Sequence, residues 1–173
     1  MTVPPGAILH THPTKILHIL NRLRIREDLS RVFPVGSVDR VMQLLADHRI
    51  LLKVSRGRAS RLGDFKPGLS GQAHRITVNG DLNVYAFQLV FLHELAHVLV
   101  WERKQGRTGP HGKEWKKAFG ALIRDFLVRG LFHPSTRDTL WSYSHKVRAT
   151  GIACEGVVRE LSLFDREPES DPL

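Results

Sequence analysis

Cysteine is nearly absent from this chain: Cys154 stands alone among 173 residues. An intramolecular disulfide and any multi-cysteine metal site are therefore excluded, and a reducing compartment is the natural setting. Tyrosine and methionine are equally sparse, at two each, and no repeat or low-complexity block occurs. Long uninterrupted apolar runs are missing as well. The longest, Ala86 to Trp101, is broken by Gln88, His93, Glu94 and His97 and reads as too short and too polar to span a bilayer. The first residues, MTVPPGAILHTHPTK, lack a cationic segment ahead of an apolar core, so they do not read as a secretion signal. A soluble, cytoplasmic protein without a membrane partner is expected.

What the chain has in excess is positive charge. Its net charge is +9, yet residues 151–173 carry six acids against two bases, a local −4 that leaves +13 on residues 1–150. Such a body favours an acidic partner, with DNA or RNA the commonest, although a basic surface also serves solubility. Two clusters stand out: Lys53, Arg56, Arg58, Arg61 and Lys66, and then Arg103, Lys104, Arg107, Lys113, Lys116 and Lys117. The simple alternative for either is a solvated cationic face.

The length suits one domain able to bury its own core. Apolar spacing predicts a helix over about Thr14 to Val32 and a second from Val38 to near His48 with Ser37 as N-cap. Ile50 to Val54, Arg61 to Phe65 and His74 to Val78 read as short strands. A long helix over about Asn83 to Glu102, another over Gly112 to Val128 with Trp115, Phe119, Leu122, Ile123 and Phe126 as its core face, and a last one over Pro134 to Lys146 complete an α+β domain. The expected organisation is an N-terminal helical extension (1–33), the main domain (34–164) and a disordered acidic tail (165–173).

The chemistry lies in His93-Glu94-Leu95-Ala96-His97. Histidines four apart share one helix face, so both imidazoles can reach one ion at about 2.0–2.1 Å. Glu94, one step round, is placed to hydrogen-bond a water in the metal's open position and act as a base. Chance would produce HExxH in a chain with this composition on the order of a few times in a hundred. Two histidines and a glutamate in so apolar a helix would also be costly to bury without a purpose.

A catalytic zinc needs a third protein ligand. The position six residues beyond His97 is Arg103, which cannot serve. His111, after the turn-forming Gly106, Gly109 and Pro110, is the leading candidate, with the carboxylates Glu102 and Glu114 as alternatives. The remaining histidines, His10, His12, His18, His48, His74, His133 and His145, read as surface or polar-core residues.

These residues, with Val100-Trp101, Gly106-Arg107 and Pro110-His111-Gly112-Lys113-Glu114-Trp115-Lys116, resemble the SprT-like family of zincin metallopeptidases, to which the eukaryotic Spartan proteases belong. The resemblance runs from about Ile50 to Phe126. It implies a zincin-like fold, a small twisted sheet packed on the HExxH helix, with His93, His97 and His111 holding Zn2+ and Glu94 catalytic. It also implies proteolysis of DNA-associated or DNA-crosslinked proteins and a place in DNA repair. The cysteine-rich zinc ribbon of many relatives cannot be built from Cys154 alone, so any DNA contact must come from the domain's own basic surface.

The reading is thus a zinc-dependent metallopeptidase acting on peptide bonds of protein substrates. Its alternative is a non-proteolytic zinc-containing DNA- or protein-binding module, against which the intact Glu94 argues. Tyr143 and His145 are candidates to stabilise a tetrahedral oxyanion. Substrate is expected to add as a strand along a sheet edge, with the His74 to Val78 strand as the candidate edge.

Overall fold

Asn83 marks the start of the helix on which the whole domain is built. In the computed structural model, which describes residues 23–56, 62–69, 71–105, 109–147, 157 and 161, its side chain accepts a hydrogen bond from the Ala86 N–H at 2.8 Å and so caps α3, Val84–Lys104. The same side chain donates to the Leu161 carbonyl at 2.7 Å, tying the helix start to a distant segment. Gln105, in left-handed backbone geometry at φ 49°, ends the helix. Being apolar around its whole girth, α3 belongs in the middle of a fold.

Residues 23–30 form α1, followed by a single 3-10 turn, Val35–Ser37, and α2, Val38–Asp47. Ser37 does not cap α2 with its side chain as the sequence suggests. Its hydroxyl donates instead to the Leu131 carbonyl at 3.3 Å, and the preceding 3-10 turn supplies the helix start. Phe33, fully buried, meets Phe87 and Phe91 edge-on at 5.1 and 5.3 Å. Of the predicted Thr14 to Val32 helix, residues 14–22 lie outside the described residues, as do Cys154 and the acidic tail.

Three strands follow: β1 (Ile50–Ser55), β2 (Gly63–Lys66) and β3 (His74–Asn79). They form one mixed sheet in the order β1-β3-β2, with β1 parallel and β2 antiparallel to β3. The sequence points to His74–Val78 as a candidate sheet edge, and this is corrected here: β3 is the central strand, with a partner on each side. β2 and β1 are the edges among the described residues. The alternation of β3 is that of a strand covered on both faces, since Ile76, Thr77, Val78 and Asn79 are all buried.

α3 packs against β2 and β3 on one side and against α4 (Lys113–Val128) on the other, while α5 (Arg137–His145) packs on α4. A 3-10 turn, Pro134–Thr136, replaces the first turn expected of α5. α4 and α5 approach closely at Gly120, for a Cβ there would lie 2.3 Å from the Ser144 carbonyl oxygen. The Arg40 guanidinium donates to Asp125 at 3.0 and 3.1 Å and links α2 to α4. Trp115, Phe119, Leu122, Ile123 and Phe126 all face the core, as their spacing predicts.

At 21 residues α3 is longer than the apolar run read from the sequence, and by length and composition it is sufficient to cross a bilayer. Eleven of its residues are buried inside the fold, among them Gln88 and Glu94, which marks it as the core helix.

Candidate metal centre

One turn of α3 separates His93 from His97, and the turn just ahead of α4 delivers His111 to the same point. The ligating nitrogens of the three lie within 4.8 Å of one another, and among the described residues no other group of three or more histidines, cysteines or carboxylates converges in this way. Nε2 of His93 and Nε2 of His111 are 3.2 Å apart. Two nitrogens bound to one tetrahedral zinc would sit about 3.3–3.4 Å apart, given bonds of about 2.0–2.1 Å. The pair therefore already stands at ligand spacing.

Trp115, the first buried residue of α4, is the wall that supports all three rings. Its ring centroid lies 4.6 Å from His93, 4.5 Å from His111 and 5.4 Å from His97. Its indole N–H donates to the His93 carbonyl at 3.3 Å, which fixes α4 against α3 at this level. Phe119 packs one turn further along, 5.4 Å from His93.

Burial pulls the His93 imidazole down to about 3, helped by His97 and then His111, and pulls His97 down to about 4, helped by His111. His111 is lowered for the same first reason. All three are accordingly neutral at pH 7, each with a lone pair to offer, which is the state metal ligation requires. His93 Nδ1, the nitrogen not paired with His111, is buried with no hydrogen-bond partner among the described residues, so packing against Trp115 and Phe119 holds this ring. The donor set and spacing fit a zinc ion with three protein ligands and one open position.

Glu94 is 7 % exposed. Burial pushes its carboxyl up to about 8, and the charge of Asp64 on β2 adds to the rise. The strand β2 lies directly over this carboxyl: a Cβ on Gly63 would come within 2.6 Å of Glu94 Oε1 and 2.8 Å of Val90 Cγ1. Only glycine permits that approach. Two residues on, the Phe65 ring lies parallel to His97, at 4° and 6.3 Å between centroids.

Of the alternative third ligands, Glu114 is exposed on the first turn of α4 and outside the converging group. Glu102 is engaged elsewhere, its Oε2 2.8 Å from His48 Nδ1. Tyr143 packs edge-on to Phe119 at 6.2 Å, and His145 is exposed with Nδ1 2.9 Å from the Trp141 carbonyl. His145 lies outside the converging group of three imidazoles. Sequence reasoning missed Gly63, Asp64 and Phe65, and it passed over Trp141, which is 44 % exposed beside His145 at 5.2 Å.

Fold and site together define a small α+β domain with a three-histidine site suited to a metal ion. The SprT-like family profile matches residues 42–127, and over these residues the chain belongs to the SprT-like family. The chain is similar to Protein SprT of Enterobacter sp. (strain 638), 58 % identical over 31 residues, which is 18 % of each chain. To Protein SprT of Shigella boydii serotype 18 it is 49 % identical over 49 residues, 26 % of this chain and 29 % of the relative. The Salmonella arizonae protein of the same name gives 51 % over 49 residues with the same coverage. These matches span less than a third of the relatives' length. No solved structure matches the chain.

Proposed function

We propose that the chain is a zinc metalloendopeptidase of zincin-like fold in which His93, His97 and His111 hold the ion and Glu94 is the catalytic base. The observation that carries this reading is the convergence of three neutral imidazoles beside a buried carboxyl one position along the same helix. A zinc ion in that position supplies Lewis acidity toward a carbonyl oxygen and makes a water acidic near pH 7. Positive charge there also favours the ionised form of Glu94, so a carboxyl that is neutral without metal becomes a competent base. Glu94 accepts the proton of the attacking water and hands it to the departing amine. Trp115 and Phe65 keep the ligand rings oriented and exclude water from their far sides.

The outer edge of β2 suits an extended substrate. It is unpaired in the described sheet, and its residues Gly63, Asp64 and Phe65 lie beside Glu94 and His97. Backbone pairing along that edge reads little side-chain information, which fits an enzyme with varied protein substrates. The test is cleavage of an unstructured protein such as casein by the zinc-loaded chain, abolished by a chelator and restored by zinc. Absence of cleavage by fully zinc-loaded protein, with and without DNA, favours the alternative of a zinc-containing binding module.

A DNA-linked role in the cytoplasm, on trapped or DNA-associated proteins, is the second part of the proposal. Lys116 and Lys117 of α4 share a concavity of about 430 Å³ with Arg124, Ser144, His145 and Val147. Trp141 stands exposed beside His145, one of the lining residues. Cations that neutralise phosphates next to an aromatic face on which a base can stack are the elements of a single-strand surface. Binding that weakens steeply with salt supports this part, and salt-insensitive or absent retention on DNA removes it without touching the peptidase reading.

A further inference from the structure

The His97 ring makes no hydrogen bond with a described residue. It is held by ring contacts alone, with Phe65, Trp115 and the other two imidazoles. Metal-bound histidines are ordinarily oriented by a hydrogen bond from the second ring nitrogen. With His93 and His111 already at ligand spacing, the orientation of His97 decides how well the triad closes on an ion. What holds Phe65 therefore bears on the metal.

The other face of that contact is His74. Its ring centroid lies 5.8 Å from Phe65 at 50°, and its side chain is 12 % exposed. The Gly68 N–H donates to His74 Nδ1 at 3.0 Å, so the neutral ring carries its proton on Nε2. That Nε2 lies 3.9 Å from Glu102 Oε1. The second carboxylate oxygen, Oε2, is 2.8 Å from Nδ1 of His48, the residue that closes α2. A carboxylate only accepts, which places the His48 proton on Nδ1. One carboxylate on the last turn of α3 thus gathers the end of α2 and the start of β3.

The Gly68 turn closes the same frame. A Cβ on Gly68 would fall 2.2 Å from the Gln72 carbonyl oxygen and 2.5 Å from that of Ala73, so the β2–β3 connection is drawn tight where it meets His74. Phe65 consequently sits between two rings, one a candidate ligand and the other held at Nδ1 by the Gly68 N–H with Nε2 facing the Glu102 carboxylate at 3.9 Å.

We propose that Glu102 and Phe65 are positioning residues of the metal centre: the Glu102 carboxylate, anchored on His48, faces His74 Nε2 and orients that ring electrostatically, His74 backs Phe65, and Phe65 sets the ring plane of His97. This rests on the three-histidine zinc reading and assigns Glu102 the role of a remote support instead of a ligand. A residue that only braced the fold would affect stability without touching the metal, and that difference is measurable.

The test uses the full chain loaded with zinc or with cobalt(II). Zinc release to an excess chelator is timed, the visible spectrum of the cobalt form is recorded, and thermal unfolding is followed on the metal-free chain. Glu102→Ala and Phe65→Leu are expected to speed zinc release about tenfold and to shift the cobalt bands, with unfolding of the metal-free chain little changed. Phe65→Tyr, which keeps the ring, should behave as wild type. Because both residues act through one chain of contacts, the double variant should release zinc about as fast as the more affected single variant, not at the product of the two effects. Unchanged release and spectra in Glu102→Ala and Phe65→Leu, with or without a loss of stability, overturn the inference and leave the zinc reading intact. Wild type that takes up neither metal overturns both.

Discussion

Replacing Glu94 by Gln should change how the metal-free protein responds to pH. The Glu94 carboxyl moves from 4.5 in the unfolded chain to about 8 in the fold. Between those values the native state holds a proton that the unfolded state has released, so stability falls as pH rises, by up to about 1.4 kcal/mol per unit. His93 and His97 work in the opposite sense. They stay neutral in the fold down to about 3 and about 4, whereas the unfolded rings charge below 6.5. Each therefore removes stability as pH drops below that value. The two effects meet near pH 6.5, where the metal-free protein should be most stable, and from there to pH 8 Glu94 alone should cost about 2 kcal/mol. Urea unfolding of chelator-treated wild type and Glu94→Gln, measured from pH 5 to 9, reads this directly. The wild-type curve should fall above pH 6.5 while the Gln variant, which keeps only the histidine effect, rises slightly and levels off, and parallel curves for the two proteins in that range would refute the argument from burial. Saturating zinc should remove the wild-type fall, because a neighbouring dication favours the carboxylate.

Zinc content should drop to near zero in His111→Ala and remain at wild-type level in Glu114→Ala by elemental analysis; the reverse pattern would make Glu114 the third ligand. Gly63→Ala pushes a methyl into Glu94 and Val90, and should cost about 1–3 kcal/mol in unfolding experiments and lower peptide cleavage. Unaltered stability and turnover in that variant would show that β2 does not press on the base. Charge reversal at Lys116 and Lys117 should weaken single-strand binding and reduce its salt slope by roughly one for each phosphate no longer neutralised, with zinc content unchanged. An unchanged slope places the phosphates elsewhere.

Elements with strong periodicity were legible in the sequence because local burial dictates them. The core face of α4, the strands β1 and β3 and the body of α3 all follow apolar spacing that the fold respects. His93 and His97 were legible for the same reason, since helix geometry alone puts i and i+4 on one face. The placement of His111 required the chain to turn after α3, and glycine and proline signalled the turn without fixing its direction. Strand order was not legible. Nothing local in His74–Asn79 distinguishes a central strand from an edge, and the reversal at β2 that makes it central depends on pairing across the 67–73 connection.

The contributions of β2 to the site share that long-range origin. Gly63 and Phe65 read in sequence only as parts of the short Arg61 to Phe65 strand, and only the sheet register brings them over Glu94 and His97. Ser37 was misread because a serine before a helix competes between capping and a tertiary acceptor, here the Leu131 carbonyl. Trp141 was passed over because apolar residues at helical spacing are expected to face inward, while α5 turns Leu140 to the core and leaves its neighbour outside.

The central claim is that Glu94 serves as the base beside a zinc ion held by three histidines. Hydrolysis of an unstructured protein by wild type and Glu94→Gln at equal, verified zinc content tests it most directly. The variant is nearly isosteric and cannot accept the water's proton, so it should retain about one zinc per chain while its turnover falls by about 10²-fold or more. Undiminished turnover by zinc-loaded Glu94→Gln would contradict the account.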